Sequence, residues 1–200
     1  MSVASGIWPA SASRDGNGAL TIAGASVVDL AHEFQTPLFI FDEADVRRRA
    51  RDYVAVFNDS DITTRVYYAG KSFLTTSIAR WVHDEGLGLD VCSLGELEVA
   101  KRAGVPGPDL VFHGNNKSRA ELEAAIDYGV GRIVVDSLVE IERLAGIAAV
   151  AGVVQQVYVR LTVGVEAHTH DFMATAHEDQ KFGLSVATGA AMAAVDAVTV

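Results

Sequence analysis

Short, predominantly apolar runs recur along this chain at a nearly fixed interval. They begin at Val66, Gly88, Leu110 and Arg132, each 22 residues after the one before, and a fifth begins at Val157 after 25. Helical periodicity fills the intervals, as in Leu122, Ala125 and Ile126, or Leu138, Ile141, Leu144 and Ala148. Strands of this kind, alternating with helices through short connections, belong to a parallel sheet covered by helices. Three of the helices open with the same signature, Ser93 with Glu96, Ser118 with Glu121 and Ser137 with Glu140. In Ser-x-x-Glu the two side chains satisfy first-turn amides that have no partner within the helix. Its recurrence at one place in a repeating unit marks a structural repeat. A unit of 22 residues suits an α/β fold of the parallel (β/α) TIM-type barrel. The open doubly wound alternative is weaker, because the glycine-rich turn that dinucleotide binding requires is missing.

A barrel closes with about eight units. Five strands are legible, with a sixth crossover helix from Ser185 to Ala197, so the expected state is a barrel truncated after five or six units. Upstream, residues 1 to about 25 are rich in Ser, Ala and Gly and read as an irregular lead-in. Thr36-Pro37 opens an expected strand, Leu38 to Phe41, and Asp42 is placed to cap a helix from Glu43 to Phe57. The expected division is residues 1–42 as lead-in and strand, and 43–200 as the N-terminal portion of the barrel.

The net charge of −10 and pI near 4.9 argue against nucleic acid or an anionic membrane as partner. The longest apolar run, Leu144 to Val154, is shorter than the roughly 18 residues of a membrane span. A single cysteine, Cys92, excludes an intrachain disulfide and points to a reducing, cytoplasmic setting.

The C-terminal strand ends of a parallel barrel converge on one mouth. Lys71, Cys92, Ser93, His113 and Asp136 are expected there, with Asp90 and Arg160 deeper on their strands. Lys71 ends the run that begins at Val66. A lysine at the mouth of a buried strand suits imine chemistry, because partial desolvation favours the neutral amine. Arg160 alternates with Val159 and Leu161 and so points away from their shared face; Asp90 is its expected partner. Cys92 is expected to be a buried, inert thiol. The polar segment from Gly164 to Gly183 carries His168, His170 and His177, a group able to ligate a divalent metal. The favoured reading makes it a substrate loop or a solvated one and assigns no metal.

The motifs Thr36-Pro37-Leu38-Phe39-Ile40-Phe41-Asp42, Tyr68-Ala69-Gly70-Lys71-Ser72, Gly88-Leu89-Asp90-Val91-Cys92-Ser93-Leu94-Gly95-Glu96-Leu97 and His113-Gly114-Asn115-Asn116-Lys117 occur in that order. With the long segment ending Glu178-Asp179-Gln180-Lys181-Phe182-Gly183, they resemble the N-terminal half of the diaminopimelate decarboxylase family, most closely its actinobacterial form. The lysine and Asp-Val-x-Ser-x-Gly-Glu-Leu motifs are shared with the wider alanine-racemase-like enzymes. The resemblance implies a barrel that binds pyridoxal 5'-phosphate, followed by a C-terminal β-domain lying outside this chain. It implies a homodimer that converts meso-diaminopimelate to L-lysine and CO2. Lys71 matches the family's Schiff-base lysine, and Asp90 and Arg160 are the further cofactor-binding candidates. Gly70 stands where the family often has alanine, a change expected to be tolerated. The family's phosphate-binding glycines, pyridine-nitrogen carboxylate and substrate-binding residues would lie beyond Val200. The 200-residue chain alone is therefore expected not to decarboxylate. Two other classes share some of these features: a non-catalytic carrier of the same cofactor, and a metal-dependent barrel hydrolase using His168 and His170.

Overall fold

A computed structural model of the chain describes residues 7–57, 62–163 and 182–198. The chain divides into two units, Met1–Val66 with Asp84–Gly86, and Tyr67–His83 with Leu87–Val200.

The first unit is more regular than its composition suggests. β1 (Ser13–Arg14), β2 (Leu20–Ile22) and β3 (Ala25–Ser26) form an antiparallel meander, followed by α1 (Val27–Phe34). The turn residues read as irregular chain are what build it. Asp15 Oδ1 accepts from the amides of Asn17 and Ala19 at 2.8 and 2.9 Å, and Gly18 supplies the positive φ of 83° that the turn needs. Leu38 to Phe41 forms no strand; an apolar run becomes a strand only when a ladder partner completes it. Asp42 does cap α2 (Glu43–Ala55), accepting from the Asp45 amide. The α2 arginines are engaged in ion pairs: Arg47 reaches Glu43, Asp84 and Glu85, and Arg48 and Arg49 converge on buried Asp45 at 2.8 and 2.6 Å. Burial opposes ionisation of Asp45, but the two guanidinium groups and the Ala10 amide hold its pKa down at about 2.

The second unit contains the repeat. β4 (Tyr67–Ala69), β5 (Gly88–Val91), β6 (Leu110–Phe112), β7 (Arg132–Val135) and β8 (Val157–Val159) lie side by side in that order, and every neighbouring pair is parallel. A short pair, β9 (Leu161–Thr162) with β10 (Leu184–Ser185), is also parallel. The crossovers are α3 (Thr76–Asp84), α4 (Leu94–Ala103), α5 (Arg119–Asp127) and α6 (Leu138–Ala151), and α7 (Ala190–Val198) follows β10. The expected helix start at Ser185 moves inward to Ala190, because Ser185 belongs to β10, and a 3-10 turn, Gly70–Ser72, precedes α3. Strands begin at Gly88, Leu110 and Arg132, 22 residues apart, whereas paired residues such as Leu89 with Leu110 and Val111 with Arg132 are 21 apart. A stagger of about one residue per strand is the shear of an eight-stranded TIM-type barrel.

The core lies between strands and helices. Leu89, Val91, Phe112, Ile133 and Val135 are fully buried against side chains such as Leu97 and Leu122. Gly88 is a close-approach site: a Cβ there would sit 2.7 Å from the Asp109 carbonyl and 2.5 Å from the Tyr67 ring. Gly88→Ala should therefore destabilise the fold by roughly 1–3 kcal/mol, read as a lower midpoint in urea unfolding; an unchanged midpoint would mean that the strand shifts freely.

All three predicted caps form, but differently. Ser118 and Glu121 make the full reciprocal box. At the other two the serine caps its helix, while the glutamate reaches one residue further back: Glu96 accepts from the Cys92 amide at 2.8 Å and Glu140 from the Asp136 amide at 2.9 Å. Each glutamate thereby pins a strand end that carries a residue of the mouth.

Candidate active site

A cavity of about 700 Å³ opens at the C-terminal strand ends, lined by residues on or just after β4 to β8 and by Phe182, which precedes β10. Lys71 sits in the 3-10 turn after β4. That turn packs closely on β5, where a Cβ on buried Gly70 would stand 2.9 Å from the Asp90 carbonyl. The glycine is thus well fitted in this chain, and the close contact is backbone. Lys71 is exposed, so the expected desolvation is not the observed state. Its Nζ has no hydrogen bond or ion pair among the described residues and faces the open cavity.

The pleat of β5 buries Leu89 and Val91 outward and leaves Asp90 on the cavity side. The expected Asp90–Arg160 pair is not formed. Asp90 shares a hydrogen bond with His113 Nδ1, and Arg160 pairs with Asp136 at 3.4 Å. Sheet order explains the exchange. Three strand spacings of about 4.8 Å each separate β5 from β8, whereas His113 follows the strand next to Asp90 and Asp136 the strand next to Arg160. Each of the two side chains is thus held by a lateral neighbour, and they do not meet across the cavity. Arg160 also lies over the Phe182 ring, 4.4 Å from its centroid, a favourable cation–aromatic geometry. Asp136 is buried and accepts from the Gly183 amide at 2.6 Å, while Thr162 Oγ1 donates to the Phe182 carbonyl at 2.6 Å.

Cys92 is exposed and not buried as expected, and the expectation of low reactivity rests on a different cause. Partial desolvation and the neighbouring Glu96 carboxylate push the thiol up to about 11. Alkylation by iodoacetamide at pH 8 should then run about a hundredfold slower than for an ordinary cysteine, because only the thiolate attacks, and Glu96→Gln should speed it. The ordinary rate in the native protein would refute this. The sign for stability follows: the thiol stays protonated in the fold where it ionises in the unfolded chain, so its contribution is lost as pH rises from about 9 toward 11.

His168, His170 and His177 lie outside the described residues, and among the described residues no group of three His, Cys, Asp or Glu side chains could hold a metal. Asn115, Val134, Tyr158 and Phe182 also line the cavity and were not singled out from sequence. Asn115 and Phe182 carried a signal, through the His113 to Lys117 and Glu178 to Gly183 motifs, whereas Val134 and Tyr158 carried none.

Residues 43–199 match the family model described as pyridoxal-dependent decarboxylase, pyridoxal binding domain. The chain belongs to this family. It is 59% identical over 195 residues to diaminopimelate decarboxylase of Mycobacterium leprae, covering 98% of this chain and 41% of that protein. It is 49% identical over 191 residues to the Corynebacterium efficiens diaminopimelate decarboxylase, covering 96% of this chain and 41% of the relative. The solved structure of diaminopimelate decarboxylase from M. jannaschii, in co-complex with L-lysine, superposes with a TM-score of 0.83 at 29% identity, covering 96% of this chain and 45% of that one. The chain thus spans less than half the length of these relatives.

The cavity suits the cofactor that gives the family its name. Its volume lies within the range of about 300–1,000 Å³ typical of small-molecule sites. An amine with no hydrogen bond or ion pair among the described residues, a guanidinium and aromatic rings line it, a donor set matched to an aldehyde, an anionic oxygen and a flat ring.

Proposed function

We propose that this domain serves a pyridoxal-phosphate-dependent decarboxylase acting on meso-diaminopimelate to give L-lysine and CO2, in a cytoplasmic homodimer. The observation that carries the reading is Lys71, exposed and, among the described residues, without a hydrogen bond or ion pair, in a cavity whose other polar side chains Asp90 and Arg160 are each held by a neighbour. The 59% identity to the M. leprae enzyme and the L-lysine held by the M. jannaschii enzyme support the substrate and product. When bound, pyridoxal phosphate supplies an electron sink for the bonding pair released as CO2 departs.

The chain's own residues have distinct tasks. Lys71 is the residue that would hold the cofactor, its Nζ being the amine able to bond an aldehyde, and the same amine would be placed to return a proton to the carbon that has lost its carboxylate. Arg160, stiffened by Asp136 and Phe182, offers a planar cation that orients an anionic oxygen. Asp90, held by His113, presents a hydrogen-bonded carboxyl group from the opposite wall. Tyr158 and Phe182 limit water on the apolar side.

The test is release of CO2 and lysine from meso-diaminopimelate by the protein that carries this domain, supplied with pyridoxal phosphate, with ornithine and lysine offered in parallel. Turnover of diaminopimelate in clear preference to the others is the expected result. Preference for ornithine or lysine would reassign the substrate, and absence of any decarboxylation with the cofactor bound would favour a carrier.

A further inference from the structure

Behind the cavity wall lies a pair of buried charges with no place in the chemistry above. Lys117 and Glu140 have side chains only 1% and 5% exposed, and Nζ meets Oε1 at 2.8 Å as a contact between charges, not an aligned hydrogen bond. Lys117 Nζ donates to the carbonyls of Gly114 at 2.5 Å and Val134 at 2.6 Å. Gly114 and Val134 both line the cavity, Gly114 between His113 and Asn115. The backbone at Gly114 is in an unusual conformation, φ 129°, open chiefly to glycine, and a Cβ there would meet the Lys117 side chain at 3.3 Å. Glu140 in turn accepts from the Asp136 amide, and Asp136 holds Arg160 and the Gly183 amide. One buried ion pair thus connects the His113–Asn115 wall to the Arg160 wall.

Burying two charges costs more than an apolar pair of the same volume commonly would. The carbonyls it meets suggest what the pair is for: a cation is the group that can draw two backbone oxygens from different strand ends to one point. We infer that Lys117 is a positioning residue, which ties the Gly114 turn to β7 and so sets His113, and through it Asp90, at the spacing the cofactor requires. This rests on the reading of the cavity as a pyridoxal phosphate site.

The test uses the protein that carries this domain, prepared without cofactor, in wild-type form and as E140Q and K117M/E140Q. E140Q retains an acceptor for the Asp136 amide and leaves Lys117 on its two carbonyls. K117M/E140Q removes both charges, so no uncompensated charge stays buried, but cuts the ties to Gly114 and Val134. Three quantities are measured: thermal midpoint, dissociation constant for pyridoxal phosphate, and amide exchange of a peptide spanning His113 to Lys117. The expected pattern crosses over. E140Q melts lower but binds the cofactor within about threefold of wild type, whereas K117M/E140Q recovers the midpoint yet binds about tenfold more weakly, with faster exchange at 113–117, as a loosened supporting residue should. Affinity that follows the melting order, or a double variant with wild-type affinity and exchange, overturns the inference and leaves the pair structural. Weak binding by E140Q also overturns it, should the double variant not fold. Wild-type protein that takes up no cofactor would refute the underlying reading instead, and that outcome is distinguishable because the exchange comparison needs no cofactor.

Discussion

Lys71→Ala should lower decarboxylation by about 10³-fold or more, since the substitution removes both the point of attachment and the proton carrier, and loss of a positioned acid–base group alone costs about 10²–10⁴. The fold should be indifferent. Lys71 is exposed and makes no hydrogen bond or ion pair among the described residues, so the melting temperature should stay where surface substitutions leave it, within about 0.5 kcal/mol. Lys71→Arg should be equally inactive, because it retains the charge but offers no amine able to form the covalent bond. The check is a rate measurement with saturating cofactor, beside a thermal melt. A Lys71→Ala protein that works within tenfold of wild type would remove the residue from the mechanism.

Arg160→Leu is expected to weaken pyridoxal phosphate binding by about 10–10²-fold, in line with the loss of about 1.4 kcal/mol per factor of ten that one charge-assisted contact can supply. A second effect separates it from Lys71. Asp136 is buried and would retain the Gly183 amide but lose its cation, so the protein should also lose about 1–3 kcal/mol of stability. Arg160→Lys should fall between, keeping a charge near Asp136 but no planar group to lie on Phe182. Equilibrium dialysis and urea unfolding read the two effects separately. Unaltered cofactor affinity in Arg160→Leu would show that Arg160 serves only the Asp136 anchor.

The sheet was legible because its signals are local and repeated. A period of 22 residues and three serine caps specify strand, turn and helix within each unit, and β5 to β8 begin at the residues where the apolar runs begin. Pairing between units was not legible at side-chain level. Asp90 and Arg160 were correctly brought to one cavity but wrongly joined, because their partners depend on strand order in space, which places His113 beside one and Asp136 beside the other. Leu38 to Phe41 failed for a related reason: an apolar run carries no information about whether an edge is waiting for it. The meander of the first unit was missed although Asp15 to Gly18 spelled its turn, because strands of two or three residues are too short to show alternation. Lys117 and Glu140 gave no sign of burial; a lysine after two asparagines and a glutamate in a capping position both read as surface residues.

The account stands on Lys71 being the covalent anchor of the cofactor, and reduction followed by peptide mapping addresses that directly. The protein carrying this domain is loaded with pyridoxal phosphate, treated with borohydride, digested, and searched for the added cofactor mass. The account predicts the mass on Lys71, in the peptide that contains Tyr67 to Ser72, and its absence when Lys71→Ala is treated alike. Stoichiometric modification of Lys117 or Lys181, with Lys71 recovered unmodified, would contradict it.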